Sequence, residues 1–199
     1  IAQKTASSWD SAAMVYQRFA DNADRLNIAM KQTASLTETV SKAISVSGGT
    51  AASADAALVQ FGQALASGVL RGEEFNSIAE QAPGLLKAIA NGLDTNVGSL
   101  RGMAAEGKIT ADVLVKSLTK AQPYIDDLFN KTDFTISQSF TKLSNEVTKF
   151  IGEAGKANGA ASGLSDAINV LANNLSTIAN IAVIGGVALL TKTILSQTV

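Results

Sequence analysis

The sequence predicts an all-α protein in which a module of short helices is flanked by long helices with heptad, coiled-coil-like seams. Three observations carry this prediction. Apolar residues recur at steps of three and four, capping residues and glycines punctuate the middle of the chain, and no strand pattern of comparable strength occurs. These patterns divide the chain into an N-terminal helical pair (1–47), a short-helix module (48–121), a long helix (122–154), a joint rich in Gly, Ala and Ser (155–163) and a heptad helix with an apolar end (164–199).

The N-terminal pair is predicted from two apolar stripes. The first runs over residues 9–26 and the second over residues 36–44, each on one helix face. We expect the break between them at Asn27. The second helix should stop at Gly48, because glycine readily adopts the left-handed conformation that ends many helices.

After Gly48 and Gly49, capping residues mark the ends of the helices in the module. Ser53 is the predicted N-cap of its first helix, which should end at Gly68. The next helix should begin at Gly72, because two carboxylates follow it and a helix N-terminus favours negative charge. Pro83 then either closes that helix or opens the one after it.

The second half of the module follows the same rules. Gly92 is predicted to stop one helix, and Thr95 or Ser99 to start a short helix that ends at Gly107. Thr110 is the predicted cap of the last helix. Since aromatic residues make up only 5% of the sequence, we expect thin helix pairs rather than a thick core.

Heptad spacing appears in the last third of the chain. Beyond Pro123, apolar residues over 136–150 repeat at four, three, four and three, which predicts a single extended helix. After the joint, residues 164–182 return to a strict seven-residue repeat. That repeat predicts a left-handed supercoiled seam, and its partner helix can come from the same chain or from another one.

Composition excludes several classes of function. The chain has no cysteine and no histidine, so it lacks disulfides, thiolate chemistry and the commonest general base and metal ligand. Its net charge is −1, without long runs of either sign. We therefore expect no enzymatic activity, no cofactor, no metal site and no specific binding to nucleic acid. Because the chain starts at Ile1 without a secretory signal, we expect it to be a piece of a longer protein.

Two local patterns resemble functional motifs but favour structural interpretations. The sequence of residues 102–109 is similar to that of a phosphate-binding loop, but Ile109 occupies the position where a Ser or Thr should hold magnesium. We therefore prefer to interpret Gly107 as a helix end. The adjacent carboxylates of Asp126 and Asp127 point in different directions on a helix and cannot face one reacting atom.

A family resemblance rests on three segments. Residues 63–84 read QALASGVLRGEEFNSIAEQAPG, residues 101–110 read RGMAAEGKIT, and residues 47–49 form an SGG turn. Together they resemble the N-terminal domain of tail tape measure proteins of tailed bacteriophages and prophages, over roughly residues 47–118. Asp94 departs from the family pattern, in which glycine is frequent. The motif positions, structural or partner-contacting, are Gly68, Arg71, Gly72, Glu73, Glu74, Phe75, Pro83, Gly84, Gly107 and Lys108.

The resemblance implies a structural role in the virion. A tape measure protein sets tail length during assembly, occupies the lumen of the tail tube and assists DNA ejection. The implied partners are the tail tube protein, tail assembly chaperones and tail-tip or baseplate proteins, met in the host cytoplasm during assembly. The heptad helices add an expectation of self-association.

An apolar run over residues 181–190 leaves a second function open. It is too short to span a bilayer, which needs about 20 apolar residues, so a buried or partner-covered helix is the default. The alternatives are a membrane-active segment over 178–195 that contacts the host membrane and opens the envelope, or a generic helical scaffold that binds chaperones. A cell-wall lytic enzyme ranks below both.

Overall fold

The computed structural model describes residues 1–154, and these residues form ten helices. Their bounds are α1 Ala2–Thr5, α2 Trp9–Asp21, α3 Met30–Ser45, α4 Ala51–Ser67, α5 Gly72–Gln81, α6 Pro83–Gly92, α7 Val97–Ala105, α8 Ala111–Lys120, α9 Gln122–Asn130 and α10 Ile136–Ala154. The all-α prediction is confirmed. The predictions for residues 155–163 and 164–199 lie outside the described residues.

The N-terminal pair breaks where expected, with Asn27 in the left-handed region at φ 48°. The first helix of the pair is shorter than predicted, since α2 ends at Asp21 rather than continuing to Leu26. The side-chain amide of Asn22 explains the early end, because it donates to the Arg18 carbonyl (2.8 Å) and satisfies one of the unpaired groups of the last turn. Leu26 is nevertheless buried, in the turns that follow.

Two predicted N-caps are displaced by one helical turn. Thr50, not Ser53, caps α4, and its hydroxyl accepts from the Ser53 amide at 3.1 Å. Asn96, not Thr95 or Ser99, caps α7, and its side chain accepts from the Ser99 amide at 2.9 Å. Ser53 and Ser99 are each the third residue of a helix, and an N-cap side chain commonly accepts a hydrogen bond from the backbone amide of that residue. Thr110 caps α8 as predicted, with its hydroxyl 3.3 Å from the Val113 amide.

The helix α6 packs closely against α3 and α8. Pro83 opens it, in the first turn where a missing N–H is tolerated. A Cβ atom added at Gly84 would overlap the Ala43 carbonyl of α3, and one added at Gly92 would overlap the backbone of Ser117 in α8. Both glycines are therefore required for the close approach of α6 to its neighbours, and Gly92 is more than the helix stop that was predicted.

The helices pack around one thick core, contrary to the expectation of thin pairs. Phe19, Phe61 and Phe75 are fully buried in it, and the first two rings meet edge to face at 5.7 Å between centroids. The few aromatic side chains are concentrated inside, so that helices of the predicted pair and of the module share this core. Residues 1–146 form one compact unit, and residues 147–154 belong to a second.

Residues 122–154 hold two helices rather than one. Thr135 begins α10 with a capping box, in which its hydroxyl accepts from the Gln138 amide (3.2 Å) and the Gln138 side chain accepts from the Thr135 amide (2.8 Å). The sequence Thr-x-x-Gln is typical of a capping box, but the heptad pattern of the same region favours one uninterrupted helix. Pro123 lies in the first turn of α9.

Candidate functional site

The two main motif segments of the resemblance meet in space. Val69 and Thr110 form an isolated antiparallel bridge, with the Leu70 amide donating to the Ile109 carbonyl and the Ala111 amide to the Gly68 carbonyl, both at 2.8 Å. We call residues 68–71 and 107–110 the paired turns. They join the end of α4 to the start of α8, which sequence spacing could not predict.

The first of the paired turns is built for a helix start. Gly68 ends α4 at φ 85°, and the backbone amide of Arg71 donates to the Glu74 carboxylate at 3.2 Å. Behind this turn Phe75 is fully buried, and the Arg101 guanidinium lies 5.7 Å from its ring centroid. Phe75 therefore anchors the turn to the core, while Arg71 and Glu73 remain exposed.

The second of the paired turns, residues 107–110, carries an exposed cation. Gly107 has φ 66°, and Lys108 is exposed and ion-paired with Glu106. The paired turns thus present charged side chains on a backbone fixed by two hydrogen bonds.

Two motif positions lie elsewhere. Pro83 and Gly84 follow the far end of α5, where the Gly84 amide donates to the Ser47 hydroxyl at 2.9 Å. That bond joins the SGG turn of the resemblance to α6. These positions serve packing, whereas a partner-contacting role for the charged positions stays a prediction.

The helix α10 turns its polar side toward the rest of the described structure. The side-chain amide of Gln138 donates to the Ser45 carbonyl (2.7 Å) and that of Asn145 to the Ser7 carbonyl (2.8 Å). These two residues are only 8% and 4% exposed, whereas Phe140 and Leu143 on the other side are 46% and 56% exposed. The usual arrangement of an amphipathic helix is reversed.

One ion-pair cluster fastens α9 to α3. The Lys42 ammonium lies 2.6 Å from the Glu38 carboxylate and 2.7 Å from that of Asp126. Burial lowers the pKa of Lys42, but the hydrogen bonds to Asp126 and Glu38 and the two negative charges outweigh it, so the pKa is raised above 10.5.

Within residues 1–154, no group of three or more acidic side chains is placed to hold a metal ion. Among the helices of the same residues, none combines the length and apolar character needed to cross a bilayer. What the described residues offer is surface for contact with other molecules and the ends of helices.

The described residues thus form an all-α domain with fixed, charged turns and a helix that exposes apolar side chains. The model of the tape measure protein family matches residues 1–156, and the chain belongs to that family. It is accordingly a phage tail component of a structural rather than enzymatic family. Comparison with curated proteins and with solved structures finds no match.

Proposed function

We propose that this chain acts as part of a tape measure that sets tail length during assembly, occupies the tail tube and leaves it ahead of the DNA. The observation that carries the proposal is α10, 19 residues of continuous helix with a heptad apolar face turned outward. A helix rises about 1.5 Å per residue, so helical length converts directly into tube length.

Deleting helix from the complete gene tests the ruler role. Removal of residues 140–153, two heptads, should shorten tails by about 21 Å, because the register of the remaining heptads is preserved. Tail lengths measured by cryo-electron microscopy on many virions resolve this change as a shift of the mean. Tails of unchanged length would reject a ruler role for α10.

We further propose that copies of the chain associate through α10. In heptad notation Phe140 is an a position and Leu143 a d position, while Gln138 and Asn145 are both f positions, opposite the seam. The f positions bind backbone carbonyls of the same chain, which leaves the a and d positions for a second copy. Two exposed apolar side chains in heptad register favour another heptad helix as the occupant.

The register also favours a parallel arrangement of the copies. Antiparallel helices set g positions against g positions, and Glu146 and Glu153 both occupy g in this sequence. A parallel pair avoids that repulsion between carboxylates. Equivalent residues of two copies would then lie side by side along the seam.

Because the chain has no cysteine, a single introduced thiol reports this arrangement. Leu143→Cys should form a disulfide-linked dimer under mild oxidation, and Met30→Cys, at a residue 77% exposed on α3, should not. Cross-linking of both variants to the same extent, or no cross-linking of Leu143→Cys, would reject the association of copies through α10. Neither result would bear on the ruler role.

The paired turns are our candidate contact for tail-tip proteins or tail assembly chaperones. Their backbone is fixed and their charges are exposed, so they suit specific contact more than packing. Lys108→Glu should weaken co-purification of these partners with the chain, and Lys87→Glu, an exposed charge reversal on α6, should not. If both variants retain the partners equally, the contact lies elsewhere.

A membrane-active role is the second candidate, carried by the apolar run of residues 181–190. Liposome leakage caused by the whole chain, and abolished by Val183→Asp and Val187→Asp together, would favour it. Absence of leakage would count against it.

A further inference from the structure

A small cavity lies between α10 and the helices α2, α3 and α4. It has a volume of about 40 Å³, and its wall combines apolar groups with hydroxyl and amide side chains, among them Ser11, Ser41, Ser45, Gln138 and Thr141. Ile44 and Leu58 complete part of its wall. A site that is both polar and roomy enough for solvent is unusual in a helical interior.

The Ser41 hydroxyl is the decisive group in this cavity. Ser41 is 3% exposed, and its hydroxyl makes no hydrogen bond to any protein group of the described residues. A hydroxyl carries one donor and two acceptor positions, and a buried polar group without a partner is strongly disfavoured. Helical serines can bond the carbonyl four residues back, yet this one does not.

The neighbouring polar groups differ from Ser41 because they have protein partners. The Ser45 hydroxyl donates to the Thr5 carbonyl, the Ser11 hydroxyl to the Asp55 carboxylate, and the Gln138 amide to the Ser45 carbonyl. All three donor residues line the cavity together with Ser41. A water molecule in the cavity can accept from or donate to Ser41 and reach two or three of these groups at once.

We propose that this cavity is a hydration site that binds a small cluster of ordered water molecules through Ser41. At about 10–15 Å³ of accessible volume per molecule, it holds about three waters. The cluster joins α3 to α10, since Ser41 and Ser45 line one side and Gln138 and Thr141 the other. The polar side of α10 therefore rests on bound water as well as on direct hydrogen bonds.

The direction in which Ser41→Ala changes the Tm tests the proposal. If water serves the Ser41 hydroxyl, Ser41→Ala loses that bond and the Tm falls by about 2–4 °C. If the hydroxyl has no partner, the same change removes a buried polar group and the Tm rises. Ser45→Ala is the matched control, and its Tm should fall because its hydroxyl has a protein acceptor. A Tm of Ser41→Ala that is unchanged or raised overturns the proposal.

A direct measurement stands beside the stability test. In the folded chain, the methyl groups of Ile44 and Leu58 should show nuclear Overhauser effects to long-lived water, since both line the cavity. The methyl groups of Leu36, fully buried outside it, should show none. Absence of the signal at both Ile44 and Leu58 overturns the proposal whatever the Tm values are.

Discussion

Single residues decide how closely the helices of this domain approach one another. The clearest case is Gly92, whose missing side chain lets α6 lie against the backbone of α8 at Ser117. Gly102 in α7 provides the opposite case, because a Cβ atom added there meets no neighbour within 4 Å. The same residue type therefore serves packing at one position and only loosens a helix at the other.

The two glycines give a paired prediction. Gly92→Ala should destabilise the domain by about 2–3 kcal/mol or more, since the added methyl group forces α6 and α8 apart. Gly102→Ala should stabilise it by about 0.5–1 kcal/mol, because alanine is the better helix former. Urea unfolding of both variants measures the two free energies, and equal effects would contradict the packing described here.

Lys42 gives a pH prediction at the same scale. Its pKa is raised in the folded state, so its contribution to stability is complete below the ordinary value of 10.5 and is lost as the pH rises through the folded pKa. Thermal unfolding of the wild type should therefore lose more stability above pH 10 than that of Lys42→Met. Parallel pH profiles for the two proteins would contradict the cluster with Glu38 and Asp126.

At the scale of the element, α10 is the unusual helix. Its f positions, Gln138 and Asn145, are buried by polar contacts, and Phe140 and Leu143 at a and d positions are exposed to solvent. The single tryptophan lies beside it, since the Trp9 indole N–H donates to the Asn145 carbonyl at 3.4 Å. Docking of α10 therefore has a natural fluorescent reporter.

Removing the polar contacts should release α10. Each buried hydrogen bond contributes about 1 kcal/mol net, so Gln138→Ala and Asn145→Ala together should expose Trp9 beyond its present 47% and shift its emission to longer wavelength. Leu143→Gln, on the outward side, should leave the emission unchanged. A red shift in the outward variant but not in the double variant would contradict the assigned orientation.

Much at the element scale could be predicted from sequence, and the failures share a cause. The helix ends next to Gly68 and just before Gly107 follow from local chemistry, whereas α3 ends at Ser45, before the stop predicted at Gly48. The predicted caps, Ser53 and Thr95 or Ser99, differ from the observed caps Thr50 and Asn96. The single helix expected over residues 122–154 failed because a heptad pattern has no information about where a capping box interrupts it. The bridge between the paired turns depends on tertiary packing, which spacing along the chain does not encode.

At the scale of the whole molecule, the proposed contribution of the chain is helical length and contact surface. Its membership of the tape measure protein family agrees with that account. The paired turns share no residue with α10 or with the cavity that α10 helps to line, so the experiments on the paired turns succeed or fail independently of the others.

The most direct test of the ruler is a length series in the complete gene. Two, four and six extra heptads copied from residues 140–153 should lengthen the tail in proportion, with a slope of about 1.5 Å per inserted residue. Insertions of the same size at the Gly48–Gly49 turn, within the folded unit, should leave the tail length unchanged. Tails that keep one length across the α10 series, or that lengthen equally in both series, would contradict the account.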